Sequence, residues 1–159
     1  MAIVVRRATK ADAGKVAEFS VALAEQHIGY DAVRFSRLIT REGAAAFYAS
    51  RTEKENAAVL VAEIDGRVVG FAYMEYEPVL YAELATKVAW LHDIYVEPDS
   101  RNSGAGRVLL EAVRNEAKQY GASKVLLSVS LKNADAQQFF ERNGFRTTML
   151  EMMLEIEKE

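Results

Sequence analysis

The chain has no cysteine among its 159 residues. A disulfide, a thiolate metal site and a cysteine nucleophile are therefore all excluded. Histidine is scarce as well. His27 and His92 are the only two, which speaks against a histidine-built metal centre, and no metal is expected. No apolar run reaches the length that spans a bilayer. The opening Met1-Ala2-Ile3-Val4-Val5-Arg6-Arg7 lacks a signal-peptide layout, because its apolar stretch is short and precedes the basic pair. No membrane partner is expected, and the cytoplasm is the default location. Excess positive charge is also missing. A net charge of -3 argues against non-specific nucleic-acid binding.

What remains is the profile of a globular protein, 50% hydrophobic and 27% charged. Its length suits one domain, residues 1–159. Residues 2–7 read as a first strand. Thr9-Lys10-Ala11-Asp12 is a capping-box variant. Behind it Val16, Phe19, Ser20, Leu23 and His27 recur at helical spacing, giving a helix over about 10–27 that ends near Gly29. Residues 31–39 and 41–53 are two shorter helical candidates. A hairpin follows, with strands 58–64 and 68–75 joined by Asp65-Gly66. Residues 78–86 read as a loop or short helix before a strongly apolar strand, 88–96. A helix over 104–120 closes at Gly121, a strand runs over 124–130, and a short helix over 133–143 begins at an Asn133 cap and stops at Gly144. Residues 145–156 read as a final strand pair or one long bent strand. The pattern is an α/β domain with a mixed sheet.

The most informative stretch runs from Val88 to Arg107. A buried strand, a Pro98-Asp99-Ser100 turn and a loop with Gly104 and Gly106 deliver the chain to a helix start. Such a junction suits an anion, because glycines admit close approach and first-turn N–H groups lack intrahelical partners. It is not a Walker A loop, which needs Gly-x-x-x-x-Gly-Lys. It is not a dinucleotide fingerprint either, since Leu109 stands where the third glycine belongs. What fits is Arg-x-x-Gly-x-Gly, read as Arg101-Asn102-Ser103-Gly104-Ala105-Gly106.

In this loop the chain resembles the GNAT superfamily of N-acetyltransferases. The late stretch Asn133-Ala134-Asp135-Ala136-Gln137-Gln138-Phe139-Phe140-Glu141-Arg142-Asn143-Gly144-Phe145 is similar to that superfamily's late helix and turn. The likeness covers roughly residues 2–150 and is nearest in feel to small polyamine and thialysine acetyltransferases. It implies a mixed, mostly antiparallel central sheet flanked by helices and splayed after the central strand. Acetyl-CoA would be the co-substrate, a small-molecule primary amine the acceptor, and a homodimer the assembly. The resemblance puts the backbone of Asn102, Ser103, Gly104, Ala105, Gly106 and Arg107 on the CoA pyrophosphate. Arg101 and Arg107 either add charge there or are merely solvated. Ile94, Tyr95 and Val96 would offer a free strand edge to the pantetheine arm, and a backbone N–H near Ile94 would polarise the thioester carbonyl. Asn133 would bond the arm, cap its helix, or do both, with Ala136 and Phe140 beside it.

Chemistry is expected at His92 and Asp93. The attacking amine must be neutral, which calls for a base. The relatives carry a carboxylate where this chain has His92, whose ordinary pKa of roughly 6.5 suits the task. The alternative is that His92 only packs beside Trp90. Strand alternation would let at most one of the two face the acceptor. Glu75 and Glu77 are alternates that share a face with Tyr73. His27, Tyr30, Glu75 and Tyr81 are the acceptor candidates among the acids and aromatics that wall that side in relatives. The chain departs from the family at Phe140, where many relatives have a tyrosine that protonates the leaving sulfur. Phenylalanine has no proton to give. Water, or Tyr95, Tyr120 or Tyr81, would have to serve, or else catalysis is weak or lost. Alternative functions are acetylation of a protein N-terminus or lysine, and acyl-CoA sensing without turnover.

Overall fold

The computed structural model describes residues 2–157. Five strands form one sheet in the order β1 (Ile3–Arg7), β2 (Ala57–Ile64), β3 (Arg67–Leu80), β4 (Ala85–Val96), β5 (Lys124–Leu126). The first four pair antiparallel, and β5 joins β4 in parallel. Asp65 and Gly66 both take positive φ, 51° and 81°, as the tight turn between β2 and β3 requires. Pro78 is accommodated within β3 because β2 reaches only to Glu75, so the missing N–H falls on an unpaired edge.

Period-two alternation splits the strand side chains between two layers. Ala58, Leu60 and Ala62 of β2, with Ala72, Met74 and Leu91, pack against Leu109, Leu110, Val113 and Ala117 of α3 (Ala105–Tyr120) and Phe140 of α4 (Ala134–Arg142). Val59, Val61, Phe71, Tyr73 and Tyr95 face the other way. They meet Val16, Ala17 and Phe19 of α1 (Ala13–Tyr30) and Ala44 and Tyr48 of α2 (Arg41–Arg51). Helices thus cover both faces of a mostly antiparallel sheet.

Several sequence readings shift. The first helix continues through Gly29 to Tyr30. Residues 31–39 are not helical. There the Asp31 carboxylate accepts from the Val33 and Arg34 N–H groups, both at 3.1 Å, and this local turn replaces helix bonding. Residues 78–80 extend β3, and a 3-10 turn, Tyr81–Glu83, leads into β4. The strand expected over 124–130 shrinks to Lys124–Leu126, and residues 145–156 form no strand among the described residues. Strand-like sequence there has no neighbour to pair with. Among the described residues no helix is long and apolar enough to cross a membrane, and no group of three or more His, Asp or Glu is arranged to hold a metal ion.

One backbone contact leaves no room for a side chain. A Cβ on Gly70 would lie 2.5 Å from the Tyr95 carbonyl oxygen across the β3–β4 ladder. Gly70→Ala is expected to lose about 1–3 kcal/mol of unfolding free energy, the usual cost of overpacking. Urea denaturation checks this, and an unchanged midpoint would contradict it.

Candidate active site

Strand β4 is bounded differently on its two edges. Its pairing with β3 extends to Val96, whereas its ladder with β5 stops at Trp90↔Leu126. The Glu97 N–H donates to the Val69 carbonyl at 2.8 Å, so alternation turns the backbone groups of Ile94 and Val96 toward the side that β5 has left. The Val96 carbonyl there accepts from Arg101 Nε at 2.9 Å, and the Arg101 guanidinium lies over the Tyr95 ring. The Nε of Arg101 is therefore committed to the strand end.

The loop beyond β4 presents N–H groups outward. Asn102 takes φ 62° and Gly104 φ 95°, a region that a β-branched residue resists. Ser103 Oγ donates to the Ser100 carbonyl at 2.6 Å and accepts from the Ala105 N–H at 3.2 Å. Among the described residues, the N–H groups of Asn102, Ser103, Gly104, Gly106 and Arg107 have no intramolecular acceptor, and the first helical bond is from Val108 to Gly104. Unpartnered N–H groups at a helix start suit an anion, and of this set the Ala105 N–H is already taken. Gly106 has a packing role as well: a Cβ there would sit 3.3 Å from Phe139 Cζ, so its absence lets α3 and α4 close together. On α4, Asn133 Oδ1 accepts from the Ala136 N–H at 3.1 Å and caps the helix, leaving its amide nitrogen as the group able to meet a ligand. Phe140 is buried between Phe139 and Phe145 as a core residue, so it backs the region from within.

The β3–β4 register slips at the centre of the sheet. Tyr73 pairs with Asp93 and Met74 with Leu91, so His92 is the extra residue of a β-bulge. Bulges re-aim side chains, and here strand alternation does not send His92 and Asp93 to opposite faces. Both line an open cavity of about 630 Å³ with Leu38, Ile39, Thr40, Phe47, Tyr48 and Tyr73. His92 also lines a second cavity of about 250 Å³ with Glu75, Glu77, Glu83 and Trp90. Its ring stacks on Tyr73 at 5.2 Å between centroids and lies 6.3 Å from Trp90.

Charge in this region is tightly arranged. Tyr48 Oη donates to Asp93 Oδ2 at 2.7 Å and lies 3.3 Å from Ser20 Oγ. Burial raises the Asp93 carboxyl above its ordinary value, opposed by the Tyr48 hydroxyl and the fields of His92 and His27. Burial also lowers His92, opposed by Asp93, Glu75 and Glu77. Both side chains meet water through the concave cavity, so His92 keeps exposed area while the surrounding protein still desolvates it. For Glu75, burial pushes the carboxyl up. The Tyr73 hydroxyl, Lys54 and Arg51 outweigh that and hold it below its usual range. Lys54 Nζ lies 3.0 Å and Arg51 Nε 3.2 Å from Glu75 Oε1. Desolvation raises the Tyr73 and Tyr48 hydroxyls.

Of the acceptor candidates, Glu75 lines both cavities. His27, Tyr30 and Tyr81 line neither. His27 packs against Tyr30 and Phe35, with its Nδ1 2.8 Å from the Leu23 carbonyl, and Tyr30 Oη accepts from Gln26. Tyr81 is 85% exposed because the 3-10 turn carries it out of the wall. The tyrosines considered for protonating sulfur are also otherwise placed. Tyr120 Oη donates to the Ala57 carbonyl at 3.0 Å, and Tyr95 lies in the core under Arg101. Tyr48, Ser20, Thr40 and Phe47 were missed by the sequence reading. Helical periodicity marks Ala44 and Tyr48 as one face of α2, but nothing local announces a bond spanning 45 residues.

Removing the Tyr48 hydroxyl isolates its carboxyl partner. Tyr48→Phe is expected to move the Asp93 titration further upward, read by carboxyl NMR, and to cost roughly 1–3 kcal/mol of stability. With its folded value already raised, Asp93 contributes stability that is full below its unfolded pKa and is lost as pH rises through the folded value. The variant should shift that loss to higher pH. An unmoved Asp93 titration would exclude the hydroxyl as its partner.

Comparison with known proteins bears on all of this. The model of the Acetyltransferase (GNAT) family matches residues 18–145. An uncharacterized N-acetyltransferase of Bacillus subtilis is 33% identical over 104 residues, which is 65% of this chain and 68% of that protein. An N-alpha-acetyltransferase of Sulfurisphaera tokodaii is 32% identical over 105 residues, 63% of each chain. An uncharacterized N-acetyltransferase of Archaeoglobus fulgidus is 26% identical over 142 residues, 89% of this chain and 92% of that protein. Among solved structures, the aminoglycoside N-acetyltransferase AAC(6')-Iy in complex with CoA superposes with a TM-score of 0.80 at 19% identity, over 97% of this chain and 94% of that one. These likenesses agree with the splayed sheet and the glycine loop at its open end, and the chain belongs to the GNAT family of acetyltransferases.

Proposed function

We propose that this protein transfers an acetyl group from acetyl-CoA to the primary amine of a small cationic molecule, with His92 as the base. The observation that carries the reading is the bulge. It sets an imidazole at the junction of two cavities on the same strand that leads to the anion cradle. The free N–H groups from Asn102 to Arg107 suit the pyrophosphate of the donor, and the open edge at Ile94 suits an extended amide-bearing arm. The Ile94 N–H is the donor proposed for the thioester oxygen.

On this reading the amine nitrogen bonds to the carbonyl carbon and the carbon–sulfur bond breaks. The amine proton passes to His92 directly or through water, and the thiolate takes its proton from water, since Phe140 has none to give. Burial keeps His92 neutral near neutral pH, as a base must be. Asp93, the next residue on the strand, acts on His92 through its charge. Glu75, Glu77 and Glu83 around Trp90 suit a cation, although Glu75 shares its charge with Lys54 and Arg51. Polyamine-like acceptors fit this wall. A second reading, acetylation of a protein N-terminus, is favoured by the N-alpha-acetyltransferase relative.

Thiol release from acetyl-CoA across an amine panel tests these readings. Small diamines and polyamines should turn over faster than N-terminal peptides, and the reverse order would favour the second reading. No turnover with retained CoA binding would leave only a sensor. His92→Gln should lower kcat by about 10²-fold or more and erase the acid limb of the pH profile. Because burial lowers His92, that limb should fall below its ordinary value, with activity lost as pH drops through it. A wild-type rate and profile in the variant would remove His92 from the chemistry. Gly104→Val should abolish CoA binding measured by calorimetry, since valine resists φ 95°. Wild-type affinity would refute the cradle.

A further inference from the structure

The acids that suit a cation line the smaller cavity. The larger one, about 630 Å³, is walled differently and has the size of a small-molecule site. Three large apolar side chains that line it stand exposed: Leu38 at 84%, Ile39 at 44% and Phe47 at 39%. Much of its wall is aromatic. Phe47, Tyr48 and Tyr73 meet edge to face, with ring centroids 5.1, 5.6 and 5.7 Å apart. The rim is also anchored. Arg37 donates to Glu25 of α1 through two bonds of 2.8 and 2.7 Å, and the Leu38 N–H donates to the Ser36 carbonyl at 3.0 Å. On the other side Thr40 Oγ1 caps α2 by accepting from the Gly43 N–H at 3.0 Å. Leu38 and Ile39 are thus bracketed between an ion pair with α1 and the cap of α2. Glu75 and His92 line the same cavity, so a carboxylate and the imidazole share the space with an apolar wall.

We infer that the acceptor is a primary amine borne on an apolar body, an alkyl chain or an aryl ring, and that Leu38, Ile39 and Phe47 cover this body while the nitrogen lies against His92. The inference rests on the reading of His92 as the reaction centre and narrows the acceptor class. Charge separates this occupant from a bare polyamine. A polyamine carries a cation every few carbons, and a cation set against Leu38, Ile39 and Phe47 would lose water without gaining a partner. A diamine can use the acids of the smaller cavity, but it leaves the larger one empty. An amine charged at one end alone puts its ammonium beside Glu75 and its carbon on the apolar wall. Position separates the occupant from the acyl chain of the donor. The cavity opens on the layer of α1 and α2, through Ser20, Ala44 and Tyr48. The strand edge that suits the donor's arm lies on the β5 side of β4, and Ile94 packs with the layer of α3.

Acetyl transfer from acetyl-CoA is measured with ethylamine, butylamine, hexylamine and 2-phenylethylamine. The alkylamines share nearly one basicity, so their series reads burial. The value of kcat/KM should rise about fourfold per methylene seated in the cavity. A double variant, Leu38→Ser with Ile39→Ser, should cut the hexylamine-to-ethylamine ratio by about tenfold or more, with far-UV circular dichroism confirming the fold. Binding is read apart from chemistry by the Ile39 δ1-methyl NMR signal with CoA, which holds no acyl group to transfer. Hexylamine should shift that signal at concentrations where ethylamine does not. A flat series, or one that the double variant leaves unchanged, would overturn the inference and leave acetyl transfer standing. Hexanoyl-CoA outpacing acetyl-CoA on ethylamine would overturn it by giving the cavity to the donor. Faster transfer to a peptide N-terminus than to hexylamine would overturn it by giving the cavity to a peptide side chain. If no amine is acetylated, the proposed function fails and the methyl signal decides: a shift with hexylamine alone upholds the ligand class of the cavity, and no shift overturns it.

Discussion

Strand β4 is held along the whole of one edge and along three residues of the other. Its ladder with β3 runs from Leu80↔Ala85 to Gly70↔Val96, while that with β5 covers only Val88 to Trp90. A parallel neighbour that departs halfway leaves backbone groups that must find partners elsewhere. At Val96 the partner is Arg101 from the chain's own loop. At Ile94 the groups remain available, and the loop that follows leaves N–H groups of its own without intramolecular acceptors. The open edge and the loop of unpartnered N–H groups thus lie at the same splayed end of the strand. Gly70 secures the closed side, because β3 and β4 approach too closely there for any side chain.

The bulge at His92 is the second device on the same strand. Without it, alternation would send His92 and Asp93 to opposite faces. With it, they share a cavity, and His92 reaches into a second one. Desolvation then acts on them in opposite directions, since it disfavours the charged form of each: the imidazole is lowered and the carboxyl raised. Glu75 shows that burial alone does not decide the outcome. Its three partners, Tyr73, Lys54 and Arg51, outweigh desolvation and keep it ionised. Tyr48 plays a lesser part for Asp93, where one hydroxyl does not offset burial.

Local chemistry made much of the fold legible. Asp65-Gly66 marks its hairpin because both residues must take positive φ. Gly121 ends α3 and Gly144 follows α4, both with positive φ, and Asn133 caps the latter helix through its own side chain. The two strand expectations that failed share a cause. Residues 127–130 and 145–156 have strand composition but lack a neighbour within the chain, and pairing is a property of two segments. Residues 31–39 had some helical character, yet the Asp31 carboxylate captured the N–H groups first.

For the site, the sequence by itself determined the loop that presents N–H groups, the glycine positions in it, and the identity of the ionisable pair on β4. These depend on spacing along one segment, where backbone geometry follows from neighbouring residues. Tertiary structure decided the rest: that His92 and Asp93 face the same way, that Tyr48 from α2 meets Asp93, that Glu75 is ion-paired with Arg51 and Lys54, and that His27, Tyr30 and Tyr81 stand off the cavities. A one-residue slip in register reverses every facing beyond it, and register belongs to the pairing of β3 with β4, not to the residues at the slip alone.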